Sequence, residues 1–195
     1  NVSERRLKHD LVPISAVLSD YYDRIDELAK RPEEIHGVPT GFIDLDKLLS
    51  GLQASDLLII AGRPGQGKSG FLLSVAKNAA LTHKKHVAIF SLEMSNEQVV
   101  QRLIAQETGI DSHRLRNGKL QESEWPLFTH AIEVLSDTHV YLDDTPAITP
   151  LQLRTKCRRL HMEYGVDLII IDYLQLMGGD TRNDNRVQEV SHISR

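Results

Sequence analysis

The sequence predicts an α/β fold with a mainly parallel sheet and helices on both of its faces. Three observations carry this. Short apolar runs recur at 57–61, 87–90 and 168–171, and strands that are apolar throughout are buried on both faces. Helical patterns separate the runs, the alternation expected of parallel strands joined by crossovers. The first run ends in Gly62 and leads directly into a helical pattern, the strand–turn–helix order of open α/β sheets. With 41% hydrophobic and 26% charged residues, the chain can bury a packed core. The expected organisation is a separate region with an amphipathic helix over 1–36 and one α/β domain over 37–195, with no internal repeat and no low-complexity tract.

The elements follow in chain order. Pro13 suits the first turn of a helix, where its missing N–H would lack a partner anyway. Ile14, Val17, Leu18, Tyr21, Ile25 and Leu28 then recur in steps of three and four, one apolar stripe. Asp20, Asp23, Arg24, Asp26, Glu27 and Lys30 occupy the other face. The helix should stop near Arg31, because Pro32 disfavours helical geometry in its predecessor. Its stripe needs a docking surface, either on its own domain or on a neighbouring subunit. Residues 57–61 read as a strand, and Phe71, Leu72, Val75, Ala76 and Ala79 mark the helix after it. A strand follows at 87–90, then a helix over 96–107 capped by Ser95. Helical patterning returns over 122–135 and places Trp125, before Pro126, as a packing residue. Residues 139–142 form the next strand. Thr149 and Pro150 are an N-cap and a first-turn proline, opening a helix through Glu163. The run 168–171 closes the series at Asp172.

Charge and composition exclude several classes. Acidic residues number 27 against 23 basic ones, a net charge of −4. That excludes a uniformly basic nucleic-acid coat but not local basic patches. One such patch, Arg154, Lys156, Arg158 and Arg159, reads as a solvated helix face. The single cysteine, Cys157, excludes an internal disulfide and a cysteine-based zinc site, and reads as a buried structural thiol rather than a nucleophile. No apolar run approaches the ~20 residues that span a bilayer, and the first ten residues lack an apolar signal core. A soluble, cytoplasmic domain is expected.

The chemistry centres on Gly62-Arg63-Pro64-Gly65-Gln66-Gly67-Lys68-Ser69, followed by Gly70. It fits G-x-x-x-x-G-K-[ST] between an apolar strand and a helix, the context that confirms this phosphate-binding motif. Glycines let the backbone wrap until successive N–H groups point at phosphate oxygens, and the following helix adds the positive end of its dipole. Residues 62–70 are therefore the expected ATP-binding loop. Lys68 reaches the β- and γ-phosphates, and the Ser69 hydroxyl ligates Mg²⁺. A second metal ligand is expected at the carboxyl end of a neighbouring strand, where ligands of open α/β sheets bind. Asp172 stands there and would orient Mg²⁺ directly or through a water. Hydrolysis also needs a group to activate water. Glu93 follows the strand 87–90 at the same end of the sheet; from spacing alone it is equally a solvated strand-end residue. His83 and His86 flank Lys84 and Lys85, whose charge argues against any metal other than Mg²⁺.

Taken together, Thr40-Gly41-Phe42-Ile43-Asp44-Leu45-Asp46, the phosphate loop, Phe90-Ser91-Leu92-Glu93-Met94 and Ile171-Asp172-Tyr173-Leu174-Gln175-Leu176-Met177 resemble the C-terminal ATPase domain of DnaB-type bacterial replicative helicases, in the RecA-like superfamily of P-loop NTPases. The resemblance runs from Arg5 to Arg195. It implies that Glu93 is the catalytic glutamate and that 14–30 is the linker helix docking on the adjacent protomer of a hexameric ring. It also implies ATP-driven translocation on single-stranded DNA, with primase and a helicase loader as partners. The polar segment 178–186 corresponds to a loop in the ring's channel, where Arg182, Asn183 and Arg186 would meet DNA. The family's γ-phosphate-sensing strand, second DNA loop and basic trans finger are not found in 1–195, so the chain is expected to be a piece of the enzyme. Two other readings stay open: a RecA/KaiC-like recombinase or regulatory ATPase, and a nucleotide-binding interaction fragment without turnover of its own.

Overall fold

The computed structural model describes residues 13–30, 35 and 37–178. The chain divides into two units, 1–36 and 37–195. Among its described residues the first contains one helix, α1 (Ile14–Lys30). Ile14, Val17, Leu18, Tyr21, Tyr22 and Ile25 are exposed along it, and Lys30 pairs with Asp26 one turn back. That exposed pair contributes only about 0.3–0.5 kcal/mol. An isolated 17-residue helix is marginal in water unless packing covers its apolar face.

Among the described residues the second unit is built on three parallel strands, β1 (Val87–Ser91), β2 (Val140–Asp143) and β3 (Leu168–Asp172), in the order β2-β1-β3. Every residue of β1 is buried. Its side chains alternate between two cores, as the period of a strand demands. Val87 and Ile89 face a cluster containing Leu73, Ala76, Ala79 and Ala80 of α3 (Lys68–Leu81) together with Val99 and Leu103 of α4 (Asn96–Thr108). Ala88 and Phe90 face Ile148, Met177 and, on α7 (Pro150–Glu163), Leu153, Cys157 and Leu160. Helices therefore cover both faces of a parallel sheet, as the sequence predicts. The alanines of α3 let that helix approach the sheet closely.

Caps set the helix starts. Ser95 accepts from the Gln98 N–H while Gln98 accepts from the Ser95 N–H, and Thr149 and Gln152 repeat the arrangement at α7. The pattern over 122–135 resolves into a 3₁₀ turn, Glu122–Glu124, and α6 (Trp125–Ser136). Trp125 is half exposed and meets Phe128 edge-on at 5.9 Å. Two short helices add to those the sequence pattern predicts: α2 (Ile43–Leu49) and α5 (Ser112–Arg116). Cys157 is half-buried on α7; burial and the nearby Asp143 carboxylate push its thiol pKa up, the opposite of an activated nucleophile.

Two expectations are corrected. Residues 57–61 join no strand ladder, and Leu57, Leu58, Ile59 and Ile60 are exposed. A strand takes its hydrogen bonds from a neighbour. Among the described residues the sheet holds only β2, β1 and β3, the outer edge of β3 stays unpaired, and no strand is hydrogen-bonded to this run. The basic face of α7 is also not uniformly solvated. Lys156 turns inward, bonds the Asp143 carboxylate, and donates to the Thr145 hydroxyl at 2.7 Å. Burial pushes the Asp143 carboxyl up, but Lys156 and Thr145 outweigh it and hold its pKa below the ordinary value. No helix among the described residues is long and apolar enough to cross a membrane.

Candidate functional site

The segment before the phosphate loop is braced on the loop's own helix. Asp46, 5% exposed in the first turn of α2, accepts from the Thr40 N–H (2.7 Å), the Thr40 hydroxyl (2.7 Å) and the Gly41 N–H (3.1 Å). Gly41 lies against α3: a Cβ there would sit 2.6 Å from Asn78 Cγ, and its φ of +87° also favours glycine. Asn78 donates to the Pro39 carbonyl at 3.3 Å, and Phe42 stacks on Phe71 with ring centroids 4.8 Å apart. The Thr40–Asp46 string, known from sequence only as a carrier of resemblance, is thus a clamp between α2 and α3.

The loop itself is an open cradle. Gly65 and Gly67 have φ of +78° and +83°, and a Cβ at Gly65, Gly67 or Gly70 would meet no other atom within 4 Å. These glycines face open space rather than neighbouring protein. Inside the loop, Gln66 N–H donates to the Arg63 carbonyl at 3.2 Å. The first amides of α3 have no helical acceptor, as at every helix start, so they are available to an anion. Arg63, Pro64 and Gln66 are exposed, while Lys68, Ser69 and Gly70 are half-buried.

The lysine leans towards the sheet. Its ammonium lies 5.4 Å from the centroid of the Tyr173 ring, within cation–π range. Tyr173 directly follows Asp172, so the loop and the end of β3 meet here. Sequence reasoning missed Tyr173; its position after a strand-end carboxylate was the available signal. Asp172 is 5% exposed. Among the described residues neither its carboxylate nor the Ser69 hydroxyl makes a hydrogen bond or ion pair. Two oxygen donors of this kind suit Mg²⁺.

Pairing of β1 with β3 brings the second acid in. Ser91 stands opposite Asp172 in the ladder, and the Leu92 N–H donates to the Asp172 carbonyl at 2.7 Å. Glu93, one residue further on, therefore projects from the same end of the sheet as Asp172, on an exposed turn. Its carboxylate has no hydrogen bond or ion pair among the described residues. Nearby, between α4 and α5, a cleft of about 420 Å³ is lined by Met94, Gln98, Arg102 and Arg116 among others; none of the loop residues lines it. Arg182, Asn183 and Arg186 lie outside the described residues.

Comparison with known proteins places this arrangement. Residues 37–195 match the family described as DnaB-like helicase C-terminal domain. The whole chain is 47% identical to replicative DNA helicase DnaB of Geobacillus stearothermophilus and 46% identical to replicative DNA helicase DnaC of Bacillus subtilis, covering 43% of each. It therefore spans less than half the length of these curated relatives. Among solved structures, one described as an ATPase domain superposes with a TM-score of 0.87 at 29% identity, over 95% of this chain and 66% of that one. A DnaB-like replicative helicase described with its primase interactions gives 0.81 at 28% identity, over 95% and 44%. The chain belongs to the DnaB-like helicase C-terminal domain family, with that family's RecA-type α/β fold.

Proposed function

We propose that this chain is the motor segment of an ATP-driven replicative DNA helicase, coupling ATP hydrolysis at subunit interfaces to movement along single-stranded DNA. The observation that carries the reading is the meeting of Lys68, Asp172 and the Glu93 turn at one end of the sheet, beside an open glycine cradle. Residues 62–70 would hold the ATP phosphates through backbone amides and the Lys68 ammonium. Ser69 and Asp172 would hold Mg²⁺, which when bound neutralises charge on the β- and γ-phosphates. Glu93 would take the proton from the attacking water, and its exposed carboxylate, unpaired among the described residues, suits that role. Arg182, Asn183 and Arg186 are proposed to meet DNA phosphates, and primase and a loader are proposed partners of the full assembly.

The function is tested by measuring ATP hydrolysis with and without single-stranded DNA, on residues 1–195 and on the full-length protein that carries them. DNA-stimulated turnover is expected in the full-length protein. Residues 1–195 alone should bind Mg·ATP but turn it over slowly, because a finger acting in trans contributes ~10³–10⁵ in rate. Turnover indifferent to DNA in the full-length protein would favour a regulatory ATPase instead.

The exposed stripe of α1 is proposed to pack on a neighbouring protomer of a hexameric ring. Burying it gains about 25 cal/mol per Å² of apolar surface. Replacing Leu18 and Tyr21 with Ser should therefore weaken assembly while each chain still binds ATP. Light scattering that gives the same mass for variant and parent would count against this docking.

A further inference from the structure

We infer that Ser91, seconded by Asp144, is a positioning residue that aims Glu93 through the backbone of its turn. The inference rests on the reading of Glu93 as the group that activates water. The Glu93 side chain touches no partner among the described residues, so its direction depends on how firmly the turn 91–94 is held. Three anchors hold it. The Ser91 hydroxyl donates to the Met94 carbonyl at 2.8 Å and accepts from the Met94 N–H at 3.2 Å, closing the turn at both ends. Ser91 is 3% exposed, so water cannot readily replace that hydroxyl. The Leu92 N–H is bonded to the Asp172 carbonyl, which ties the turn to the strand bearing the proposed metal ligand. Beyond the turn, the Asn96 N–H at the start of α4 donates to the Asp144 carboxylate at 2.9 Å. An anion there also faces the positive end of the helix dipole.

Asp144 has its own support. It follows β2 directly, and the preceding Asp143 is fastened by Lys156 and by the Thr145 N–H at 2.9 Å. The ends of all three strands are thereby joined around Glu93. Loosening this frame leaves the phosphate loop untouched but lets the carboxylate wander, and a misplacement of about 1 Å costs on the order of 10²-fold in rate.

The test uses the full-length protein and four variants: Ser91→Ala, Asp144→Ala, Asp144→Asn and Glu93→Gln, with Ser91→Ala also made in the Glu93→Gln background. Ser91→Ala should lower kcat roughly 10- to 100-fold while nucleotide Kd stays within about twofold. Asp144→Ala should lower kcat in the same manner to a lesser degree. Asp144→Asn, which keeps an acceptor oxygen, should restore most of it. Because Ser91 acts only through Glu93, adding Ser91→Ala to Glu93→Gln should cause no further fall, the non-additivity expected of residues that work as a unit. The inference is overturned if Ser91→Ala turns over as the parent does, weakens Kd in parallel with kcat, or lowers residual turnover equally in the Glu93→Gln background. Should Ser91→Ala fail to fold, the exposed Asp144 pair decides, and equal rates for Asp144→Ala and parent overturn the frame. Parental turnover by Glu93→Gln would instead overturn the reading of Glu93 itself, whatever Ser91 does.

Discussion

Glu93→Gln should lower ATP turnover by about 10²–10⁴-fold, the usual contribution of a positioned general base, while Mg·ATP binds with near-parental affinity. Lys68→Ala should instead weaken binding. The separation follows from where the two side chains sit. Glu93 is on an exposed turn and no described residue depends on it for a hydrogen bond, so the amide keeps shape and removes only basicity. Among the described residues the Lys68 ammonium contacts only the face of Tyr173; truncating it strands no buried charge there and should leave the fold intact. What is lost is a charge-assisted contact to phosphate, worth about 1.5–3 kcal/mol, or roughly 10- to 100-fold in Kd. Calorimetric titration with a slowly hydrolysed ATP analogue, paired with single-turnover hydrolysis in the full-length protein, reads the two effects separately. Equal binding losses in the two variants would show that Glu93 belongs to the nucleotide pocket rather than to the water.

The parts of the site legible in sequence are those whose chemistry is local. Eight consecutive residues suffice to specify the loop from Gly62 to Ser69, because its glycines and lysine act on the ligand rather than on the rest of the protein. Asp172 stands out for a related reason: an acid ending an apolar run could simply close the strand, but a phosphate loop in the same sheet calls for a metal ligand at such a strand end. Relations between distant segments were not legible. The run 57–61 has the composition of a buried strand, but composition expresses readiness to pair and names no partner. The seven residues of α2 make only two turns, too few for an apolar period to stand out. What holds α2 is Asp46 and the left-handed residues Ser50 (φ +56°) and Gly51 (φ +78°) behind it. Nor does spacing distinguish a solvated Glu93 from one aimed at a water. The ladder pairing Ser91 with Asp172, which joins segments some eighty residues apart, puts the Glu93 turn at the end of the sheet that carries Asp172.

Asp46→Ala should be among the most destabilising single changes in the domain and should disturb the loop without touching it. Removing the carboxylate leaves the Thr40 N–H, the Thr40 hydroxyl and the Gly41 N–H without their acceptor. Thr40 is 2% exposed, so water is poorly placed to compensate, and each stranded buried group costs about 1–3 kcal/mol. Allowing for relaxation, the net loss should be about 3 kcal/mol, a fall in Tm of roughly 6–12 °C for a domain of this size. Asp46→Asn should cost less. Its carbonyl oxygen can still serve both Thr40 donors, as Oδ1 does now, but its amide would then face the Gly41 N–H, donor against donor. Thermal unfolding should therefore rank parent, Asn and Ala in that order. Because Gly41 rests on Asn78 and Phe42 stacks on Phe71, a loosened turn releases the outer side of α3, the helix that begins at Lys68. Nucleotide affinity should then fall in Asp46→Ala even at temperatures where the chain remains folded. Parental affinity together with a lowered Tm would mean that the clamp stabilises α2 alone and leaves the phosphate loop to be held by the sheet.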